Sequence, residues 1–81
     1  MHTGLMWFDN DPQTALASKI KKASDYYNRK FGRRPNICLV NPSMLGDRTV
    51  DTIEESGRQI TVRPYRPVLP GHLWICVEEE N

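Results

Sequence analysis

The sequence predicts a single α+β domain in which one long helix packs on a mixed sheet of three or four strands. Three apolar segments of strand length lie at residues 5–8, 37–40 and 72–77, and one helical stripe lies between the first two. A chain of 81 residues has the length of one small domain, which spans residues 1–81. The order strand, helix, strand defines a βαβ unit over about residues 4–41, and an antiparallel strand pair is expected over about residues 60–79.

The first strand is expected at residues 5–8, a short apolar run bounded by Gly4 and by the acidic cluster of residues 9–11. Its length and its flanking residues favour a strand over a helix. Because apolar side chains point both ways along it, we expect both faces of this strand to be covered.

The long helix is expected from about residue 12 to residue 31. Asp11 is a candidate cap, and Pro12 suits the first helical position because an N–H there has no helical partner. Gly32 is expected to end the helix, and Pro35 prevents its resumption. Apolar residues recur at steps of three and four, as one buried helix face requires: Leu16, Ile20, Ala23, Tyr27 and Phe31.

The polar residues at about 46–59 are expected to form an exposed loop or a weak hairpin, and a short helix ending at Gly57 is the alternative. In the hairpin, a turn at residues 56–57 sets Ile53 opposite Ile60 and Glu55 opposite Arg58.

Two further strands complete the predicted sheet. The alternating residues 60–63 predict a strand that lies at an edge or stops early, because Pro64 and Pro67 cannot donate a backbone hydrogen bond. Residues 72–77 are apolar on both faces and predict a central strand, while residues 37–40 predict a second buried one.

Composition restricts the classes of protein. No apolar run approaches the roughly 20 residues that span a bilayer, and no signal peptide is recognised at the start, so we expect a cytoplasmic protein that does not enter a membrane. The two cysteines, Cys38 and Cys76, match no metal motif, and inert core thiols are expected unless neighbouring strands bring them together. No glycine-rich phosphate loop occurs, and no cofactor is expected.

The acidic residues after the first strand are candidates for a metal site. Asp9 and Asp11 are separated by one residue, and carboxylates at the end of a strand can hold Mg²⁺. The pattern of apolar strand, Asp, any residue, Asp resembles the nucleophile motif of haloacid-dehalogenase-type phosphatases over about ten residues. That family's downstream lysine and further acidic pair have no counterpart in this chain. The alternative is that Asp11 caps the helix and Asp9 is a surface carboxylate.

The helix carries a cluster of basic residues that is a candidate nucleic-acid-binding surface. Cations can neutralise phosphates and a tyrosine can stack on a base. The alternative is a solvated helix face whose cations favour the negative end of the helix dipole. The near-neutral net charge of +1 favours that alternative. The candidate residues are Lys19, Lys22, Tyr26, Arg29, Lys30, Arg33 and Arg34.

The segment at residues 63–70 has a proline at every third position from Pro64 to Pro70. It is expected to link two strands, and Arg63, Tyr65 and Arg66 are residue types that anchor protein partners. We therefore predict a non-enzymatic binding or scaffold module that acts through protein–protein contacts or self-association. A nucleic-acid-binding module using residues 19–34 is the first alternative, and a small Mg²⁺-dependent enzyme using Asp9 and Asp11 is the second.

Overall fold

The computed structural model describes residues 4–47, 51–55 and 57–78. One helix and five strands make up this part of the chain, with a short 3₁₀ helix, Pro42–Met44, after the second strand. In chain order the elements are β1 (Gly4–Phe8), α1 (Leu16–Phe31), β2 (Ile37–Val40), β3 (Asp51–Glu55), β4 (Arg58–Pro64) and β5 (His72–Cys76).

The five strands form one mixed sheet in the order β1-β5-β2-β4-β3. The pair β2 and β4 is parallel, and the other neighbouring pairs are antiparallel. The predicted α+β class is confirmed, with five strands instead of three or four. The expected antiparallel pair over residues 60–79 does not form, because β5 is apolar on both faces and takes the inner position between β1 and β2. The antiparallel hairpin consists of β3 and β4.

The hairpin has the predicted register, with Ile53 opposite Ile60 and Glu55 opposite Arg58. Ser56 of the expected turn lies outside the described residues, whereas Gly57 is described and has a φ of 76°. For the strand beginning near residue 60, the predicted edge position is wrong, whereas the alternative, an early stop, agrees with the end of β4 at Pro64. β4 lies between β2 and β3, because its proline is its last residue and the preceding N–H groups remain available for pairing.

The helix begins four residues later than expected, at Leu16, and ends at Phe31 as predicted, with Gly32 in the left-handed conformation. Asp11 caps a separate turn instead of the helix: its carboxylate accepts hydrogen bonds from Gln13 N and from the hydroxyl of Thr14, both at 2.9 Å. Because these contacts stabilise a turn at residues 11–14, helical geometry starts only after it. The described helices are all too short or too polar to cross a membrane.

The core lies between α1 and one face of the sheet. Ile20, Ala23 and Tyr27 of the helix pack against buried side chains from four strands. Apolar burial of this kind supplies most of the stability of a small domain. The sheet side chains in the core include Cys38, Val40, Ile60, Val62, Leu73 and Ile75.

The expectation that both faces of the first strand are covered is wrong. β1 is an edge strand, and Met6 and Phe8 are 49% and 58% exposed. Leu5 and Trp7, which alternate with them, pack against the core. The single helix covers one face of the sheet, so apolar residues such as Met6 and Phe8 on the other face remain in contact with solvent in the described part of the chain.

Candidate functional site

The face of the sheet opposite α1, here called the open face, carries an apolar row across three strands. Met6 of β1 is directly opposite Trp74 of β5, which is opposite Leu39 of β2. Side chains of directly opposed residues lie on the same face, so these three are neighbours. In the adjacent row the rings of Phe8 and His72 are 4.7 Å apart. The helix α1 leaves this apolar surface uncovered.

The indole ring of Trp74 lies over the backbone of β1. A Cβ atom at Gly4 would clash with this ring, so the close approach requires glycine at that position. Gly4 therefore allows a large aromatic ring to lie close against the edge strand.

A depression with a volume of about 350 Å³ opens on the apolar row. Its floor comes from the sheet residues Met6, Leu39 and Trp74, and its wall comes from Tyr65, Pro67 and Val68. Val68 is 4% exposed and Tyr65 is 50% exposed. Val68 is thus held inside the protein, whereas the side chain of Tyr65 remains accessible to a partner.

Hydrogen bonds hold the wall of the depression in place. Val68 N donates to Tyr65 O at 3.1 Å and closes a turn. The amide of Asn41 donates to Val68 O at 3.0 Å, which ties the turn to the end of β2. Tyr65 N donates to Val40 O at 2.7 Å. The depression is thus formed by a braced segment, as a preorganised binding site requires.

The three residues predicted to contact a partner lie near each other. Arg63 is opposite Leu39 on the open face, and its guanidinium is 3.8 Å from the carboxylate of Glu78, with both side chains half exposed. Arg66 is exposed in the turn that carries Tyr65 and Pro67. Cationic groups therefore lie beside an apolar depression.

The basic residues of the helix do not form one accessible set. Lys19 is 7% exposed, and its ammonium donates to Asp9 O at 2.9 Å. Arg34 lies 3.2 Å from a carboxylate oxygen of Glu55 and 3.6 Å from Asp25. Both cations are thus engaged within the protein.

The remaining helix candidates are exposed: Lys22, Tyr26, Arg29, Lys30 and Arg33. Tyr26, Arg29 and Lys30 line a shallow depression with a volume of about 560 Å³. The ring of Tyr26 also contacts Trp7, with a centroid distance of 5.5 Å. This group is the accessible part of the predicted nucleic-acid surface.

A polar cleft of about 580 Å³ lies beyond the C-terminal end of α1 and includes Arg33, Arg34 and Arg58 among its lining residues. Opposite charges lie close to these cations, since Arg34 pairs with Glu55 and Arg58 is opposite Glu55 across the hairpin. The cleft therefore has less positive character than its arginines alone indicate, and we assign it no ligand.

Asp9 and Asp11 take part in the turn before the helix. A carboxylate oxygen of Asp9 accepts a hydrogen bond from Asp11 N at 3.0 Å. The hydrogen bonds from Gln13 N and the Thr14 hydroxyl hold the pKa of the Asp11 carboxyl below its ordinary value. No group of three or more His, Cys, Asp or Glu residues that could hold a metal occurs in the described ranges.

Cys38 and Cys76 lie on neighbouring strands but on opposite faces of the sheet. Ile37 is opposite Cys76 and Cys38 is opposite Ile75, so the two side chains point away from each other. Burial raises the pKa of the Cys38 thiol to about 12 and also raises the pKa of Cys76. Both are free buried thiols, and their orientation does not suit a disulfide.

The sequence identified Tyr65 but not the sheet residues beside it in the depression. Met6, Leu39 and Trp74 were assigned to strands that were expected to be covered. The sequence did contain a signal: several predicted strands are apolar on both faces, but only one long helix is predicted. One helix cannot cover both faces of a sheet.

Comparison with known proteins gives no relative: no protein-family model, no curated protein and no solved structure matches this chain.

Proposed function

We propose that this protein is a non-enzymatic binding module that holds a partner protein on the apolar part of its open face. The observation that carries the proposal is the braced depression between Tyr65 and the sheet residues Met6, Leu39 and Trp74. Hot spots of protein interfaces are concentrated in such pockets, where an aromatic residue contacts a buried apolar anchor.

The charges around the depression favour a partner segment with an apolar anchor and acidic flanking residues. Arg66 is exposed, and Arg63 is held by a half-exposed pair with Glu78. Because an exposed ion pair contributes little stability, a carboxylate of the partner can replace Glu78 at low cost. Complementary charge of this kind sets specificity and association rate.

A selection from a phage-displayed library of random peptides tests this proposal. We expect the selected peptides to share an apolar anchor flanked by Asp or Glu, and to shift the NMR signals of the Met6 methyl and the Trp74 indole. Tyr65→Ala should weaken their binding by about tenfold or more, as loss of a hot-spot residue does. Arg66→Glu should remove the preference for acidic flanks.

A matched control is Tyr26→Ala, because Tyr26 is 41% exposed, similar to Tyr65, but lies on the helix. It should leave peptide binding unchanged. Peptides that bind wild type and Tyr65→Ala equally well, or a selection without acidic preference, would contradict the proposal.

Nucleic-acid binding is a second candidate, favoured by the shallow depression of Tyr26, Arg29 and Lys30. It predicts binding to single- or double-stranded DNA or RNA that weakens steeply between low and physiological salt. Titration of labelled oligonucleotides at two salt concentrations tests it, with Arg29→Glu/Lys30→Glu as the disrupting variant. Absence of binding at low salt eliminates this candidate. The turn contacts of Asp9 and Asp11 give no support to a metal-dependent enzyme, and we do not propose one.

A further inference from the structure

The outer edge of β1 has unpaired backbone groups in the described part of the chain. Asp9 N donates to Gly71 O at 2.9 Å, which extends the pairing of β1 with β5 by one residue. Hydrogen-bonded and non-hydrogen-bonded pairs alternate along antiparallel strands. Trp7 and Leu5 therefore bond to β5, whereas Gly4, Met6 and Phe8 direct their N–H and C=O groups outward.

The same edge lacks the features that normally prevent strands from pairing. Its sequence, Gly-Leu-Met-Trp-Phe, contains no charged residue and no proline. Met6 and Phe8, whose backbone groups face outward, also have exposed apolar side chains. An apolar, uncharged edge strand is a template for pairing with another strand.

We infer that β1 pairs antiparallel with β1 of a second copy of this chain, around a twofold axis at Met6. In this register Met6 is opposite its own equivalent, and Gly4 is opposite Phe8 of the second copy. The outward backbone groups of all three residues then form hydrogen-bonded pairs, each pair exchanging two hydrogen bonds. A contact in which one patch meets its own copy is the common form of homodimer interface.

The side chains of β1 suit this pairing. A Phe8 ring opposite Gly4 of the second copy meets no Cβ atom and lies beside the Trp74 indole that covers that glycine. Aromatic pairs across strands stabilise a sheet. With no charge on the strand, no like charges are brought together. The dimer would have one ten-stranded sheet with both helices on one side and both open faces on the other.

Analytical ultracentrifugation between about 5 and 500 µM tests this inference, because a contact made mainly by one short strand is small and should be weak. We expect the wild-type protein to pass from the monomer mass to the dimer mass in this range. Met6→Pro removes an outward N–H without removing a hydrogen bond to β5, and should raise the dissociation constant by at least about tenfold.

The control for the proline substitution lies on the opposite edge. Glu54→Pro changes a residue of β3 whose backbone N–H also faces away from the sheet. The dissociation constant of this variant should equal that of the wild type. Near-UV circular dichroism of each variant establishes that the fold is retained.

A charge-exchange pair keeps the test valid if proline unfolds the strand. Met6→Lys and Met6→Glu place like charges opposite each other, so each should be monomeric alone. A mixture of the two should recover a heterodimer. A wild-type protein that stays monomeric at the highest concentration, or a dimer that survives all three Met6 substitutions, would overturn the inference.

Self-association and partner binding can fail separately. Tyr65→Ala changes the depression but not the edge of β1, so it should keep the dimer mass while losing peptide binding. Loss of the dimer in that variant would contradict the use of the β1 edge.

Discussion

The two halves of the sheet expose different chemistry on the same open face. The half formed by β1, β5 and β2 presents apolar residues such as Met6, Phe8 and Trp74. The half formed by β4 and β3 presents polar and charged residues: Gln59, Thr61, Arg63, Thr52 and Glu54. One helix covers the other face of both halves. The polar half can therefore remain exposed to water, whereas an exposed apolar surface such as that of the other half is typical of an interface.

The two edges of the sheet differ in the same sense. At the β3 edge, the carboxylate of Asp51 accepts a hydrogen bond from Thr52 N at 2.9 Å, and Glu54 adds an exposed charge. Charges and satisfied backbone groups prevent unwanted strand pairing. β1 has neither feature among its five residues. This contrast supports the inference that β1, and not β3, is the edge that pairs with another strand.

The largest expected difference is between two leucines on neighbouring strands. Leu73 is fully buried beneath the helix, whereas Leu39 is partly exposed on the open face. Leu73→Ala should lower the free energy of unfolding by about 2–5 kcal/mol, because it leaves a cavity in the core. Leu39→Ala should lower it by about 1 kcal/mol, since less area is lost. Urea denaturation at low protein concentration measures both, and equal losses would contradict the contrast between the two faces.

A smaller effect separates two ion pairs, each of which has one partner in β3 or β4. The side chain of Glu55 is 10% exposed and pairs with Arg34, whereas Arg63 and Glu78 are half exposed. Arg34→Ala should lower the free energy of unfolding by about 1–3 kcal/mol, because a largely buried carboxylate loses its charged partner. Arg63→Ala should lower it by less than about 1 kcal/mol. The same denaturation experiment compares them, and a larger loss for Arg63→Ala would refute this ranking.

The two thiols should differ in their rates of reaction with a thiol reagent. This difference involves no large change in the free energy of unfolding. Cys38 lies under the helix with its pKa raised to about 12, so it is protonated at neutral and mildly alkaline pH. Cys76 lies on the open face and is 8% exposed. With an aromatic disulfide reagent, Cys76 should react faster than Cys38, and both should react at once in denaturant. Cys38→Ser and Cys76→Ser assign the two rates, and faster reaction of Cys38 would contradict its placement.

Because burial raises the pKa of Cys38, the protonated thiol is favoured in the folded state. Its contribution to stability is complete below the unfolded value of 9.0 and is lost as the pH rises toward about 12. Cys38→Ala should therefore flatten the fall in the free energy of unfolding over this window relative to the wild type, measured by denaturation against pH. An identical fall in Cys38→Ala and in the wild type would show that the thiol of Cys38 does not contribute.

Local patterns in the sequence predicted much of the fold. The helix end at Gly32 and the hairpin register at Ile53 and Ile60 follow from turn chemistry and apolar spacing. The predicted start of the helix was wrong because an aspartate can cap a turn as well as a helix. Sheet order was not accessible, since the place of β5 between β1 and β2 depends on contacts that are remote in the sequence.

The candidate site was predicted only in part, for the same reason. Tyr65 is recognisable as an exposed aromatic residue in a proline-rich segment. Its neighbours in the depression come from strands about 25 to 60 residues earlier in the sequence and from β5 after it. A two-sided apolar strand such as β1 indicates burial on both faces, and the structure supplies cover for only one. This unmet expectation draws attention to β1, whose open face contributes to the depression and whose outer edge is the proposed site of self-association.

Hydrogen exchange at the outer edge of β1 tests the central claim most directly, because the amides of Met6 and Phe8 face away from β5. If β1 is an interface, these two amides should exchange slowly at high protein concentration and rapidly after dilution. The amides of Leu5 and Trp7, which bond to β5, should stay protected at both concentrations. Rapid exchange of Met6 and Phe8 at every concentration, with Leu5 and Trp7 protected, would show that the edge remains free and would contradict the account.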